Sequence, residues 1–175
     1  RLRCDWSSDV CSSDLYAEES YKNVTSSALL PAVKNSAVVF SCLPNSHHVS
    51  EVVNNFLQQK GTLNKVQYWV DTTSGHPGES QKIASELMSQ DVIFFDCAVS
   101  GGPAGATAGT LTAMVGGDHS AFGEVQSIIS SFAKNIVHLG PSGAGHAVKA
   151  VNNTLLAANI CSVSEIGRAS CRERV

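Results

Sequence analysis

The chain of 175 residues has no arginine between Arg3 and Arg168, no Cys-x-x-Cys pair, and few aromatic (6%) or charged (15%) residues. With a formal net charge of -3 it offers no basic patch to a nucleic-acid backbone and no polybasic anchor to a membrane surface. No apolar run approaches the roughly 20 residues of a membrane-spanning helix. The six histidines lack metal-ligand spacing. His47 and His48 are the one adjacent pair, and neighbouring helical positions do not converge on one ion, so no metal site is predicted. What is present, 43% hydrophobic residues in a chain of this length, suffices for one buried core and one domain.

The two ends differ from the interior. All five arginines lie in the first three or the last eight residues, whereas residues 16–165 carry seven lysines against eleven acidic residues, a formal charge of -4. The string from Cys4-Asp5-Trp6 to Asp14-Leu15 resembles the conceptual translation of a common short-read sequencing adapter. The string from Ile166-Gly167-Arg168 to Val175 resembles that of its partner. Both are expected to be non-native and are set apart from the fold. Cys4 and Cys11 could otherwise close a short disulfide loop or metal clip, but zinc-type spacing and a preceding secretory signal are both lacking. Cys42, Cys97 and Cys161 then remain, far apart, and read as buried small apolar residues in a reducing compartment.

Along the interior, residues 16–34 read as a loop and a short helix cut by Pro31. Ser36 to Cys42 is a continuous apolar run, which predicts a strand buried on both faces of a parallel sheet. Ser46 is the expected N-cap of a helix with Val49, Val52, Val53, Phe56 and Leu57 inward, ended by Gly61. Val66 to Val70 predicts a strand. Glu79 to Ser89 predicts a helix with Ile83, Leu87 and Met88 inward, and Val92 to Phe95 the next strand. Thr110 to Val115 and Ile136 to Leu139 predict further strands around a helix over Ser120 to Phe132, with Phe122, Val125, Ile128, Ile129 and Phe132 inward. Gly145 to Glu165 is one long helix. Strands alternating with helices of about a dozen residues predict an α/β doubly wound, mostly parallel sheet.

Open sheets of this kind bind ligands beyond the C-terminal ends of their strands. Here those ends are Leu43-Pro44, Asp71-Thr72-Thr73-Ser74 and Ser100-Gly101-Gly102. Each taken singly also fits an ordinary turn or helix cap; their repeated position predicts a cleft. Small residues at Ser100-Gly101-Gly102 let backbone N–H groups and a hydroxyl approach a small anion. Downstream, Lys149 and Asn153 lie four apart on one helix face, and Lys149 is the one charged residue between Lys134 and Glu165. It reads either as a solvated helix lysine or as an acid/base group in a cleft.

Asp96-Cys97-Ala98-Val99-Ser100-Gly101-Gly102-Pro103 with the run to Gly116-Gly117, followed by Gly143-x-Gly145-x-x-x-Lys149-x-x-Asn152-Asn153, resembles the β-hydroxyacid dehydrogenase family. The nearest likeness is its 3-hydroxyisobutyrate dehydrogenase and tartronate semialdehyde reductase branch, over roughly Ala37 to Glu165. The resemblance implies a partial Rossmann-type domain over residues 16–142 that lacks its first strands, followed by the start of an interdomain catalytic helix over 143–165. It implies that Ser100, Gly101 and Gly102 bind the substrate carboxylate, Lys149 is the general acid/base and Asn153 positions substrate. Leu43, Pro44 and Ser74 would contact a nicotinamide cofactor, NAD with NADP left open. His48 stands where many members have a cofactor-binding asparagine. Lysine suits this chemistry if its pKa falls from about 10.4 towards neutrality through burial or a nearby cationic ring.

Before Ser36 there is no Gly-x-Gly-x-x-Gly loop, the part that holds a pyrophosphate in this family. The expectation is therefore a fragment, inactive by itself, of an oxidoreductase acting on a small 3-hydroxy acid. Its full-length parent would be a homo-oligomer of cytoplasm or mitochondrial matrix, not secreted. Two alternatives stay open: a 6-phosphogluconate dehydrogenase-like enzyme, for which His-Asn-Gly would be expected at Asn152-Asn153-Thr154, and a non-catalytic nucleotide-binding or interaction module.

Overall fold

Strands form where β-branched and aromatic residues run together, helices where apolar residues recur every three or four positions. The computed structural model describes residues 36–58 and 65–172, with side chains through residue 166. The expectations for residues 1–35, and for Gly61 as a helix end, lie outside the described residues. The elements in chain order are β1 (Val38–Ser41), α1 (Ser46–Leu57), β2 (Tyr68–Asp71), α2 (Pro77–Met88), β3 (Ile93–Ser100), α3 (Gly102–Thr107), β4 (Leu111–Gly116), α4 (Phe122–Ile129), β5 (Ala133–Gly140) and α5 (Ala144–Arg172).

The five strands form one sheet in the order β1-β2-β3-β4-β5. β1, β2 and β3 are parallel, β4 runs antiparallel to β3, and β5 parallel to β4. This is the predicted α/β, Rossmann-type, mostly parallel architecture. The reversal at β4 has a physical cause in the connection: residues 101–110 are too few for a parallel crossover, which needs a dozen or more. β3 is also longer than its apolar start suggests. Its first half, Ile93 to Asp96, pairs with β2, and its second half, Asp96 to Ser100, pairs with β4.

One face of the sheet packs Trp69 and Phe94 against Val49, Val53 and Phe56 of α1 and Ile83 and Leu87 of α2. The other packs Val70, Phe95, Cys97, Ala113 and Val115 against Val125 and Ile129 of α4. α5 lies against β3, β4, β5 and α2. Only its start is buried, at Gly145 and His146, and every residue from Ala150 to Ile166 is exposed. No described helix is long and apolar enough to cross a membrane.

Several side chains depart from expectation. Asn45, not Ser46, caps α1, its Oδ1 accepting from the His47 and His48 amides. β1 is an edge strand among the described residues, so Phe40 is 40% exposed rather than buried between two layers. Met88 follows the inward Leu87 by one residue and Ile128 precedes the inward Ile129 by one, steps of about 100° around the helix that turn both outward, and both are exposed. Cys97 is buried, but Cys42 and Cys161 are exposed. Burial, then the nearby Asp96 and Asp71 charges, push the Cys97 thiol up to about 12, so it behaves as an inert apolar residue. The long helix does not stop at Glu165 but continues to Arg172.

Gly145 approaches the sheet so closely that a Cβ there would collide with the Met114 carbonyl oxygen and lie 2.7 Å from that of Asp96. Gly123 on α4 has nothing within 4 Å of the same position. We therefore expect Gly145→Ala to cost the chain about 1–3 kcal/mol in urea unfolding, and Gly123→Ala to leave stability unchanged or raise it by up to ~1 kcal/mol. Equal effects of the two would contradict this packing.

Candidate active site

The C-terminal ends of β1 and β2 are level, Ser41 opposite Asp71. A buried chain of hydrogen bonds ties them. Trp69 Nε1 donates to Ser41 Oγ at 3.0 Å, Ser41 Oγ donates to Asp71 Oδ1 at 2.8 Å, and the Thr73 amide donates to the same oxygen at 3.1 Å. Thr73 Oγ1 in turn accepts from the Leu43 amide at 3.0 Å. One turn further, Ser46 Oγ accepts from the His76 amide at 2.7 Å. The Leu43-Pro44 turn and the Thr73-Ser74 turn are thus stitched together on both sides of the predicted cofactor contacts. His48 Nδ1 lies 2.8 Å from Asn45 Oδ1, an acceptor, so that nitrogen carries the proton.

Ser100 ends β3 four residues beyond Asp96, which is level with Asp71, so this turn projects about 13 Å past the β2 end. Gly101 (φ 137) and Gly102 (φ 65) both occupy backbone conformations that disfavour a side chain, which explains two glycines in succession. By strand alternation Ser100 shares a face with Asp96 and Ala98. That is the face α5 lies on, since Gly145 packs on Asp96 and Met114.

Asp96 seats α5. Its carboxylate is fully buried and accepts from the Gly143 amide at 2.7 Å and the His146 amide at 2.9 Å. Burial pushes this carboxyl up from its ordinary value. The two amide hydrogen bonds, and then the neighbouring His146 ring, pull it part of the way back. Lys149 is half-buried one turn beyond His146, and Asn153 is exposed a further turn along the same face. Among the described residues no carboxylate pairs with Lys149. The structure therefore brings Leu43, Pro44, Ser74 and His48 together at one pair of strand ends. It sets Ser100 and the α5 start, which leads to Lys149, on one strand.

Sequence reasoning missed Ser41, Trp69, Asp71, Asp96 and His146 as organisers. A lone acidic residue inside the apolar run from Val92 to Val99 was the available sign for Asp96. On the opposite sheet face a largely apolar groove of about 540 Å³ opens beside the same strand ends, lined by Cys42, Thr72, Val99, Leu111 and Phe132 among others. At these turns Pro44 and Ser74 are exposed, which leaves the strand ends open to a dinucleotide. Among the described residues no glycine loop follows a first strand to hold its pyrophosphate.

Residues 7–140 match the family model described as the NAD binding domain of 6-phosphogluconate dehydrogenase. The chain is 38% identical over 130 residues to 2-(hydroxymethyl)glutarate dehydrogenase of Eubacterium barkeri, covering 74% of this chain and 43% of that protein. The chain belongs to the β-hydroxyacid dehydrogenase family. NAD-dependent L-serine dehydrogenase of Pseudomonas aeruginosa is 36% identical over 137 residues, 77% of this chain and 45% of that one. The solved Mycobacterium tuberculosis 3-hydroxyisobutyrate dehydrogenase with L-serine superposes at a TM-score of 0.70 with 30% identity, covering 78% of this chain and 46% of that one. This β-hydroxyacid dehydrogenase chain thus spans a little under half the length of these relatives. Its family is one of oxidoreductases with NAD(P) as cofactor.

Removing the Asp96 carboxylate leaves two buried amides unpaired, so Asp96→Ala is expected to destabilise the chain by about 2 kcal/mol or more. Its pH dependence has a definite sign. Because the folded state keeps this proton to a higher pH than the unfolded chain, stability declines as pH rises from the ordinary carboxylate range through the raised value, and is flat above it. Asp96→Asn removes that contribution. Unfolding series on both proteins should show the parent losing ground to the variant across that window; a pH-independent difference would refute the assignment.

Proposed function

We propose that the protein containing this chain transfers hydride between NAD(P) and a small 3-hydroxy acid of the 3-hydroxyisobutyrate type. The observation that supports it most is the double use of β3: Asp96 holds the start of the Lys149 helix, and four residues later the strand delivers Ser100-Gly101-Gly102. Bound NAD(P) supplies the hydride acceptor or donor. The Ser100 hydroxyl and the Gly101 and Gly102 amides hold the substrate carboxylate. Lys149 Nζ takes the hydroxyl proton during oxidation and returns it to the carbonyl oxygen during reduction. Asn153 orients the reacting alcohol. Leu43, Pro44, Ser74 and His48 form the side of the cleft nearest the nicotinamide, held by the Ser41–Asp71–Thr73 bonds.

The activity is that of the whole protein, and we expect no turnover from this chain alone. The homo-oligomeric assembly and the cytoplasmic or mitochondrial setting belong to the same reading. A 6-phosphogluconate reading draws on the name of the family model, yet Asn152-Asn153-Thr154 stands where His-Asn-Gly would be expected. The test is the gene-length protein assayed for NAD(P)H formation with 3-hydroxyisobutyrate, L-serine and 6-phosphogluconate. Lys149→Ala should lower kcat by about 10²–10⁴-fold while NADH binding stays within about threefold. An unchanged kcat would remove Lys149 from the mechanism, and faster turnover of 6-phosphogluconate would favour the other reading.

A further inference from the structure

His146 is 1% exposed, and among the described residues its Nε2 is the one buried side-chain polar atom without a hydrogen-bond partner. Its other nitrogen, Nδ1, lies 2.7 Å from Ser80 Oγ on α2. The ring also abuts the β2–α2 turn. A Cβ on Gly75 would lie 2.6 Å from His146 Cε1, 2.7 Å from Nδ1 and 2.8 Å from Ser46 Oγ. From its place on α5, one imidazole therefore meets both the turn after β2 and α2. A leucine or phenylalanine would fill such a core position without an unpaired nitrogen. The polar ring adds a directional bond that fixes the rotation of α5 about its own axis.

That rotation governs the proposed chemistry. Lys149 follows His146 by three residues and Asn153 by seven, so all three lie along one side of α5. Among the described residues the contacts that bury the helix fall in its first turns, so within this chain its azimuth is set there. The Asp96 bonds to backbone amides and the close seat of Gly145 on Met114 and Asp96 fix where the helix starts and which face meets the sheet. The His146–Ser80 bond adds a side-chain tether from α5 to α2 on the side that carries Lys149. We propose that His146 is a positioning residue: its bond to Ser80 locks Lys149 in orientation relative to the Leu43–Pro44 and Thr73–Ser74 turns. This rests on the reading of Lys149 as the acid/base group.

The test uses Ser80→Ala, His146→Phe and His146→Asn, the last placing an amide atom near the position of Nδ1. In the gene-length enzyme, Ser80→Ala and His146→Phe should each lower kcat about 10–100-fold, with KM for both substrates changed less than threefold. The double variant should lose no more than Ser80→Ala alone, because both remove the His146–Ser80 bond and Ser80→Ala already removes the Ser80 bond to the His76 carbonyl as well. His146→Asn should restore kcat to within about threefold of the parent. A loss confined to thermal stability, additive losses, or no rescue by Asn would overturn the proposal. Amide hydrogen exchange of the gene-length enzyme separates this from failure of the functional reading. Ser80→Ala should speed exchange at residues 147–151 at least tenfold while leaving Ala113 and Val115 unchanged, whether or not the whole enzyme oxidises a hydroxy acid. Unchanged exchange at 147–151 would sink the positioning role.

Discussion

A carboxylate with no solvent contact accepts two backbone amides at the point where the sheet hands over to the last helix, and most of the arrangement follows from that contact. Asp96 sits in the one residue of β3 that pairs on both sides, with Asp71 of β2 and Gly116 of β4. It closes the sheet halves together and at the same time satisfies the otherwise unpaired N–H groups at the start of α5. The burial penalty on its charge is large enough to raise its pKa even with those bonds in place. Removing it would leave both amides buried and unpaired, which ties the seat of α5 to this one carboxylate.

The second constraint is the hydrogen-bond chain from Trp69 through Ser41 and Asp71 to Thr73 and Leu43. It converts two flexible-looking turns into one rigid pair, and does so with side chains from strands rather than from the turns themselves. The cofactor contacts proposed for Leu43, Pro44, Ser74 and His48 therefore rest on sheet geometry. The apolar groove beside Cys42 and Thr72 shares the same strand ends but faces the other layer.

Much of this was legible in the residues. The strand–helix alternation, the Ser100-Gly101-Gly102 turn and the long glycine-led helix were all read in place, because apolar period and glycine position carry that information locally. What was not legible depends on distance in sequence. Nothing near Asp96 indicates that its partners are Gly143 and His146, and nothing near His146 points to Ser80. Loop length could have announced the antiparallel β4, since ten residues including a six-residue helix cannot cross back over a sheet. The errors at Met88, Ile128, Cys42 and Cys161 share one cause: hydrophobicity was allowed to stand for burial at positions where helix phase or a strand end turns the side chain to solvent.

Among the described residues α5 is seated on the sheet through its first turns, at Gly145 and His146. Lys149 stands six residues, about 9 Å, from Gly143 along its axis. A tilt of about 10° at the Asp96 seat would carry its backbone some 1.6 Å sideways, and an error near 1 Å at a reacting centre can cost about a hundredfold in rate. On the proposed role of Lys149, substitutions far from any substrate, at Ser80 or Gly75, would act through angle, and selection on catalysis would be felt at the fulcrum.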